Sequence, residues 1–387
     1  MENCLDYRTL KHALASLPKT LDETYSRILH AIPAEYKQCA IFILQLITFS
    51  ERPLRIEEVV DAIAVDTAGP PYFCPRDRMP DPQEITRYCS SLVATISIAN
   101  HSNSKANDRV ELQLAHFSVK EYLTSNRLDS GIAQVFQEPT ARAAIANVSL
   151  AYLLHFNKEI PPKEIIQRYP FAQYSARYWM TNVAGAKDTD ERVLKFIKQL
   201  FCYHSCSYKI CYNLYQPDQP WKDHPWKDRH HGSDGVASEL YYAAFEGLLH
   251  EVDYLLNQGI DVNIESGFHG SALQAASIGG HEQIVRLLVD KGADVNMEGG
   301  EYGSALQAAS YGGHEQIVRL LVDKGADVNM ECGGYYGSAL QAASIGGHEQ
   351  IVKLLVSKGA VKAEEYENEE GDEVEGYEDE DSDDDED

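Results

Sequence analysis

Residues 270–296 decide the fold of this chain, and they read GSALQAASIGGHEQIVRLLVDKGADVN. The same stretch returns almost unchanged from Gly303 and in a shortened form from Gly337. The starting points are 33 and then 34 residues apart. A fixed period of this length indicates a repeat protein, in which each repeat is one unit of secondary structure that packs only against its neighbours.

The first two full copies differ at a single position, where Tyr311 replaces Ile278. The third copy returns to isoleucine there, at Ile345. The copies also agree at His281 and Gln283, which are predicted to face solvent, where packing requires no particular residue. We therefore attribute this agreement to recent duplication rather than to function.

Each copy is predicted to contain two short helices. Ser271 is placed to cap the first helix, because its hydroxyl can accept a hydrogen bond from a free backbone N–H. The pair Gly279-Gly280 ends that helix. The second helix carries apolar residues at helical spacing, and Gly292 is placed to end it in a left-handed conformation. A single pair of such helices cannot bury its apolar face, so the copies must stack.

These features resemble ankyrin repeats. The pair Gly280-His281 matches the family pattern, whereas the usual T-P-L-H turn appears as Ser271-Ala272-Leu273-Gln274. Gln274 is therefore expected to take over the polar bridging that histidine normally supplies. A divergent copy begins at residue 238 in the same register. The resemblance implies four repeats over residues 237–360, at about 238–270, 271–303, 304–337 and 338–360.

The resemblance implies a binding surface and no catalytic apparatus. Ankyrin-like stacks bind proteins on a concave face that is formed by the first helices and by the finger-like turns between repeats. Aromatic residues on such a face are frequent hot spots of binding. The alternative is that the tyrosines only hold one finger against the next. The predicted contacts to a protein partner are Phe268, Tyr302, Tyr311, Tyr335 and Tyr336.

Residues 1–130 have a different character. Three amphipathic segments, at 21–32, 35–49 and 56–63, are followed by a proline-rich loop and by two predicted strands around 91–100 and 109–117. Three helices followed by a β-hairpin are the outline of a winged helix. The third segment carries Glu57, Glu58 and Asp61 but no basic residue, which argues against DNA binding. Beyond this domain we predict a helical region, a linker and a disordered tail, at residues 131–202, 203–236 and 361–387.

The amino-acid sequence of the first 235 residues is similar to that of a known class of protein. Four stretches resemble the segment that follows the nucleotide-binding domain in fungal NACHT–ankyrin proteins, which are NLR-like STAND signalling ATPases. That segment looks like the winged-helix module named for GPI inositol-deacylase. The resemblance runs from about residue 5 to residue 360. The stretches are ALASLPKTLDETYSRIL, FSERPLRIEEVVDAIAVD, LQLAHFSVKEYL and FAQYSARYWM.

The resemblance leaves three functions open. The chain contains no G-x-x-x-x-G-K-[ST] loop, which a NACHT domain needs to hold nucleotide. The main hypothesis is a non-enzymatic interaction protein, and the second is a fragment of an ATP-dependent STAND switch. The third is a decoy whose winged helix binds the NACHT domain of a relative. His116 matches the winged-helix histidine that contacts nucleotide in such switches, but without that domain we expect it to be a buried structural residue.

The charge of the chain is concentrated at one end. The net charge is −26, and 17 of the 60 acidic residues lie in residues 363–387, where there is no basic residue. The remaining 43 acidic residues stand against 34 basic ones, so neither part favours a nucleic acid. Residues 1–10 do not have the layout of a secretory signal, and no apolar run is long enough to span a membrane. Eight cysteines without a signal peptide indicate reduced thiols in the cytoplasm or nucleus.

No cofactor or metal site is predicted. Cys202, His204, Cys206 and Cys211 lie close together, but their spacing is irregular for a zinc site. Thiols buried in a helix are the alternative that we favour. The repeated HEQIV begins like the zinc-protease motif H-E-x-x-H, but valine stands at the second histidine position in all three copies.

Overall fold

The computed structural model describes most of the chain, as one isolated residue and seven longer segments. Two predicted partner contacts, Tyr335 and Tyr336, lie outside the described residues. His204 and the acidic residues 363–387 also lie outside them. The described residues are 18 and 20–98, 109–158, 160–186, 191–202, 205–218, 236–331 and 337–361.

The first described part has the winged-helix outline that the sequence predicts. A three-stranded antiparallel sheet has the order β1-β3-β2, with β3 in the centre. Leu112 of β3 pairs with Leu54 of β1 and with Thr95 of β2. Leu112, Ile56 and Val59 are fully buried, so the helices pack on this sheet through an apolar core. The elements are α1 (Leu21–Ala31), α2 (Ala34–Phe49), β1 (Leu54–Arg55), α3 (Ile56–Ile63), α4 (Thr86–Cys89), β2 (Val93–Ile98) and β3 (Arg109–Leu114).

The helix that directly precedes the hairpin is α4, not α3 as the sequence suggests. The proline-rich loop ends in a 3-10 turn, Pro82–Ile85, that leads into α4. Two acidic residues of α3 are not on the surface, because Glu58 and Asp61 are buried. Their charges are paired instead with arginines that lie outside the helix.

One of these buried pairs, that of Asp61, connects the winged helix to the helices that follow it. Arg52 donates two hydrogen bonds to Glu58, at 2.7 and 2.9 Å. Asp61 accepts hydrogen bonds from Arg78 and from the hydroxyl of Tyr152, which belongs to the helical region. A buried carboxylate is tolerated when its lone pairs are satisfied by charged or hydroxyl donors. The two acidic residues therefore fix α3 in place.

Seven helices lie between the sheet and the repeats in the described segments, and they bury a large aromatic core. Trp179 and Tyr174 of α9 and Phe171 are fully buried. None of the helices in the described residues is long and apolar enough to cross a membrane. The helices are α5 (Phe117–Leu123), α6 (Ser130–Ala133), α7 (Glu138–Leu154), α8 (Pro162–Arg168), α9 (Ala172–Gly185), α10 (Glu191–Leu200) and α11 (Cys206–Leu214).

Helix α11 lies within the residues that composition predicts to be a linker. The side chain of Ser205 caps it, accepting from the backbone N–H of Tyr208 at 3.3 Å. The hydroxyl of Ser207 donates to the carbonyl of Phe156 at 2.9 Å and so holds α11 against the helical region. The region before the repeats is therefore ordered by specific contacts at least to residue 214.

Eight helices form four stacked pairs from residue 239 to residue 357, as the repeat pattern predicts. Ser271 caps the first helix of its repeat, and Gly292 has a φ of 94° after the second, so both predictions are confirmed. The buried Leu273 and Ala276 form the inner face. The helices are α12 (Glu239–Phe245), α13 (Leu249–Asn257), α14 (Ala272–Gly279), α15 (Glu282–Asp290), α16 (Ala305–Tyr311), α17 (Glu315–Asp323), α18 (Ala339–Ile345) and α19 (Glu349–Ser357).

A glutamine in each central repeat holds the finger that follows it. The side-chain amide of Gln274 donates to the carbonyls of Gly299 and Gly303, at 2.9 and 3.1 Å. Gln307 donates in the same way to the carbonyl of Gly337 at 2.7 Å. The prediction that glutamine replaces histidine in this bridging is confirmed. The bonds to Gly299 and Gly337 supply a donor to a turn carbonyl, and the bond to Gly303 is a second one, beside that from the backbone N–H of Gly299.

The repeated histidines tie each repeat to the one before it. The Nε2–H of His314 donates to the carbonyl of Ile278 at 3.0 Å, and His281 and His348 make the equivalent bond at 2.9 Å. Gln283 is exposed as predicted, but the prediction that His281 faces solvent is wrong. Its ring reaches back to the carbonyl end of the preceding first helix, where a donor is needed. Packing therefore explains why this histidine recurs.

A row of asparagines forms a second tie between repeats. The side-chain amide of Asn296 donates to the carbonyl of Gly325 at 3.2 Å, and its oxygen accepts from the backbone N–H of Asp327 at 2.8 Å. Asn263 and Asn329 make the same two bonds to the repeats that follow them. The tie therefore runs from the first repeat to the fourth.

The fourth repeat has lost the groups that would bind a further repeat. Lys324 donates to the carboxylate of Asp290 in the repeat before it, at 2.9 Å. At the corresponding aspartate position of the fourth repeat stands Ser357, and at the asparagine position stands Ala363. The last copy therefore carries neither acceptor for a fifth unit.

The first repeat packs against the helical region through aromatic rings. Tyr242 stacks on Phe201 with the ring centroids 5.7 Å apart, and it meets Tyr208 and Tyr212 of α11 edge to face or nearly so. The hydroxyl of Tyr208 donates to the carbonyl of Ala237 at 2.8 Å. Such packed rings make the largest contribution to an apolar contact.

A buried carboxylate completes this contact. Asp218 accepts a hydrogen bond from the hydroxyl of Tyr241 at 2.8 Å and another from the backbone N–H of Phe268 at 3.1 Å. Phe268 lies in the first finger of the stack. The position of that finger therefore depends on a residue that precedes the repeats. We call Phe201, Tyr208, Asp218, Tyr241 and Tyr242 the interdomain contact.

The histidine tie gives a test of how the stack is stabilised. Replacing His314 with alanine leaves the carbonyl of Ile278 without its donor, so the free energy of unfolding should fall by about 1–2 kcal/mol. The control is Gln316→Ala, two residues away on the exposed side of α17, for which we expect a change below about 0.5 kcal/mol. Urea denaturation measures both variants. Equal midpoints would contradict the proposed tie.

Glu246 makes the stability depend on pH. Burial, and secondly the charge of Asp218, raises the pKa of Glu246 to about 7 from 4.5. The folded state thus favours the neutral acid, and this contribution to stability is lost as the pH rises through 7. Replacing Glu246 with glutamine should therefore raise the free energy of unfolding at pH 8 by about 1–2 kcal/mol, a value reduced for the solvent-exposed part of the half-buried side chain.

Below pH 4.5 the wild type and Glu246→Gln should be equally stable, because the carboxyl is then neutral in both the folded and the unfolded chain. Urea denaturation at several pH values checks this. A stability difference that stays constant from pH 4.5 to pH 8 would show that the substitution acts through packing and not through the charge.

Candidate protein-binding surface

Aromatic rings cross from one repeat to the next on the finger side of the stack. Phe268 and His269 lie in the first finger with their ring centroids 5.3 Å apart. His269 lies 5.4 Å from Tyr302 in the second finger, and Tyr302 lies 5.4 Å from Tyr311 at the end of α16. We call these four residues the aromatic row. It joins three repeats through a continuous series of ring contacts.

The members of the row differ in how much they show to solvent. Tyr302 is 9% exposed and His269 is 5% exposed, so both are buried. Phe268 and Tyr311 are half-buried. Phe268 and Tyr311 are therefore the more accessible members, whereas Tyr302 packs between His269 and Tyr311. The burial of Tyr302 agrees with the alternative interpretation, in which the tyrosine holds one finger against the next.

Backbone hydrogen bonds support the row. The N–H of Glu301 donates to the carbonyl of Phe268 at 3.2 Å and joins the second finger to the first. Asp218 fixes the first finger from the other side. The sequence reveals Phe268 and Tyr302 but not His269. One feature of the sequence could have revealed His269. A residue with an aromatic ring directly precedes glycine in each finger, as His269 and Tyr302 do.

The one variable position of the first helices lies on this surface. Tyr311 closes the aromatic row, and Ile278 at the same position of the repeat before is half-buried. Ile345 at the end of α18 is 64% exposed. The nearly identical repeats thus differ where a side chain is accessible from the finger side.

Burial keeps the row uncharged at neutral pH. It lowers the pKa of His269 to about 4, although the nearby Asp218 acts in the opposite direction. It also raises the pKa of the Tyr302 hydroxyl to about 12. Burial raises the pKa of Glu301 as well.

Charge is divided between the two sides of the repeats. The fingers, at residues 261–271, 294–304 and 327–338, contain acidic residues but no lysine or arginine. The first helices α14, α16 and α18 contain no charged residue at all. The basic residues between residues 261 and 361 follow or lie within the second helices. They are Arg286, Lys291, Arg319, Lys324, Lys353 and Lys358.

A zinc site at the clustered cysteines finds no support in the described residues. They contain no group of three or more His, Cys, Asp or Glu that could hold an ion. Cys202 is exposed, Cys206 is half-buried and Cys211 is buried. Burial raises the pKa of Cys211 to about 12. Cys211 is therefore an inert thiol in the core, as the alternative proposed.

His116 is exposed, so the prediction of a buried structural histidine is wrong. It precedes α5, and its Nδ1 accepts from the backbone N–H of Ser118 at 3.2 Å. Its ring lies 4.3 Å from that of Phe117, which is 68% exposed. The sequence did not distinguish a helix cap from a core residue here. The pair forms an accessible aromatic edge of the winged helix.

Two family models match this chain. The model of the winged-helix domain of GPI inositol-deacylase matches residues 27–134, and the model of ankyrin repeats matches residues 240–332 in three copies. The first match covers the described sheet and the helices around it. The second covers most of the stack that carries the aromatic row.

A curated protein is similar over most of the chain. It is the azaphilone pigments biosynthesis cluster protein L of Monascus ruber, which is 34% identical over 285 residues. The match covers 71% of this chain and 59% of that protein, so the chain spans little more than half of the length of the relative. Since ankyrin repeats bind proteins, the comparisons support a protein-interaction module. The chain carries a winged-helix domain of the GPI inositol-deacylase type followed by ankyrin repeats.

Proposed function

We propose that this protein is a non-enzymatic interaction protein that binds a partner protein through the concave face of its ankyrin stack. The aromatic row is the observation that carries the proposal. It links three repeats through ring contacts, with half-buried rings, Phe268 and Tyr311, at both ends and buried rings between them. Rigid aromatic side chains of this kind bind with little loss of side-chain freedom.

The row is also held in place before a partner arrives. The second finger is bound to the first by Glu301, and each central finger is held by a glutamine. A preorganised surface loses less entropy on binding than a flexible one. The proposal extends to Phe268 and Tyr311 as direct contacts, to Tyr302 as their support, and to Tyr335 and Tyr336 as contacts on the third finger.

The chain offers a matched variant for the test. Tyr311→Ile converts the third repeat to the side chain that the second repeat has at Ile278, so the stack should stay folded. We expect this variant to lose specific partners from a quantitative affinity purification. Gln316→Ala, on the exposed side of α17, should keep them. Tyr311 is worth roughly 2 kcal/mol if it is a hot spot, which is about a thirtyfold loss of affinity.

The outcome depends on the comparison of variants and not on capture alone. Proteins that are retained by Gln316→Ala and lost by Tyr311→Ile support binding at the aromatic row. If Tyr311→Ile and the combined Phe268→Ala/Tyr311→Ile variant retain every captured protein while their melting temperatures are unchanged, the concave face is not the binding surface.

A second candidate function is that of a switch module in a longer STAND-type signalling protein. The exposed pair of His116 and Phe117 favours it, because an accessible apolar ring on a winged helix suits contact with another domain. A NACHT domain, of this protein or of a relative, would be the partner at that edge. The resemblance of the N-terminal region to NACHT–ankyrin proteins supports this candidate.

The mass of the native protein separates the two candidates. An antibody against residues 363–387 would detect the protein in cell extracts. A band at 43.3 kDa supports a free-standing interaction protein, and a band larger by several hundred residues supports the switch. In the second case Phe117→Ser should weaken contact with the nucleotide-binding domain, whereas Glu121→Gln on the exposed side of α5 should not.

A further inference from the structure

We propose that the concave face recognises a segment of its protein partner that carries lysine or arginine side chains. This inference rests on the proposed function and adds the chemistry of the partner. It starts from the unequal distribution of charge over the repeats. The finger side is acidic and aromatic, and the other side carries all the basic residues of the region.

The acidic residues of the fingers have no counterion among the described residues. Glu282, Glu315 and Glu349 of the second helices each pair with a basic residue one turn later. In contrast, Glu265 and Glu298 form no ion pair within the described segments and are exposed. The negative charges of the second helices are therefore compensated by ion pairs, whereas those of the fingers are not. The uncompensated negative potential on the finger side attracts a cation.

Glu301 brings this charge next to the aromatic row. It directly precedes Tyr302, and its backbone holds the two fingers together. An arginine or lysine side chain can lay its apolar stem and its charged head on an aromatic ring while a carboxylate accepts its hydrogen bonds. The half-buried Phe268 and Tyr311 offer the rings, and Glu298 and Glu301 offer the carboxylates.

The acidic residues that follow the stack favour the same partner. Residues 363–387 contain 17 acidic residues and no basic one. A segment with this charge is repelled by acidic fingers, so it is not the complement of the concave face. A basic partner is attracted by the tail sequence and by the fingers together. Such attraction raises the association rate and decreases with salt. An acidic partner or a nucleic acid would be repelled by both.

A selection from a random 12-residue peptide library against the full chain tests the inference. At 150 mM NaCl we expect the selected peptides to be enriched in lysine and arginine. The synthetic form of the best peptide is then titrated in a fluorescence polarisation assay. Glu298→Gln/Glu301→Gln should weaken its binding roughly tenfold, as expected for two partly exposed charges, and Tyr311→Ile should weaken it to a similar extent.

A matched control separates the finger carboxylates from the net charge. Glu315→Gln/Glu349→Gln removes the same two charges from the second helices and leaves the tail intact. Its affinity should stay within about twofold of the wild-type value. Circular dichroism melts of all the variants verify that the stack is folded. Equal losses in the two double variants would show that bulk charge binds the peptide and would overturn the inference.

The remaining outcomes distinguish the inference from the proposed function. If the selected peptides depend on Tyr311 but are not enriched in lysine or arginine, the concave face binds a partner of other chemistry. The inference is then wrong while the proposed function stands. If no selected peptide loses affinity in Tyr311→Ile, both are contradicted.

Discussion

The buried carboxylate of Asp218 is the contact on which the geometry of the molecule depends. Removing a carboxylate from water is costly unless donors replace the lost hydration. Here the donors are the hydroxyl of Tyr241 and the backbone N–H of Phe268. One belongs to the first helix of the stack and the other to its first finger. The interdomain contact therefore orients the helix and the finger together, and the aromatic row begins at a defined place.

From that starting point the stack continues by repetition of the same few bonds. A histidine reaches back to the preceding repeat, while a glutamine and an asparagine reach forward to the following one. Each bond satisfies a backbone group that a helix end or a tight turn would otherwise leave unpaired. Because the bonds are alike in the central repeats, they specify the fold and do not distinguish one central repeat from the next. The central repeats differ from one another in the fingers and at the position of Tyr311.

The repeats could be predicted in detail because their determinants are local. A cap at Ser271, a left-handed glycine at Gly292 and the bridging by Gln274 all act within one repeat or on the next turn of chain. The β-hairpin was recognisable for the same reason, since alternation is a property of six consecutive residues. Residues of this kind can be assigned without knowing the tertiary structure.

The features that escaped prediction depend on partners far along the chain. Glu58 and Asp61 look like surface residues of an amphipathic helix, and only Arg52, Arg78 and Tyr152 make their burial possible. His281 looks solvent-facing until its bond to a carbonyl 36 residues earlier is known. The burial of Tyr302 within the aromatic row likewise requires the ring of His269, from another repeat.

The sequence of the last copy has a consequence for how this gene can change. The first and last repeats of the stack differ from the central ones. The first repeat packs against α11, and the fourth has Ser357 and Ala363 at the positions where the central repeats bind the next unit. The central copies present the same donors and acceptors on both sides. Loss or gain of one central unit of 33 residues can therefore leave both ends of the stack unchanged. Such an event changes the length of the aromatic surface in a single step.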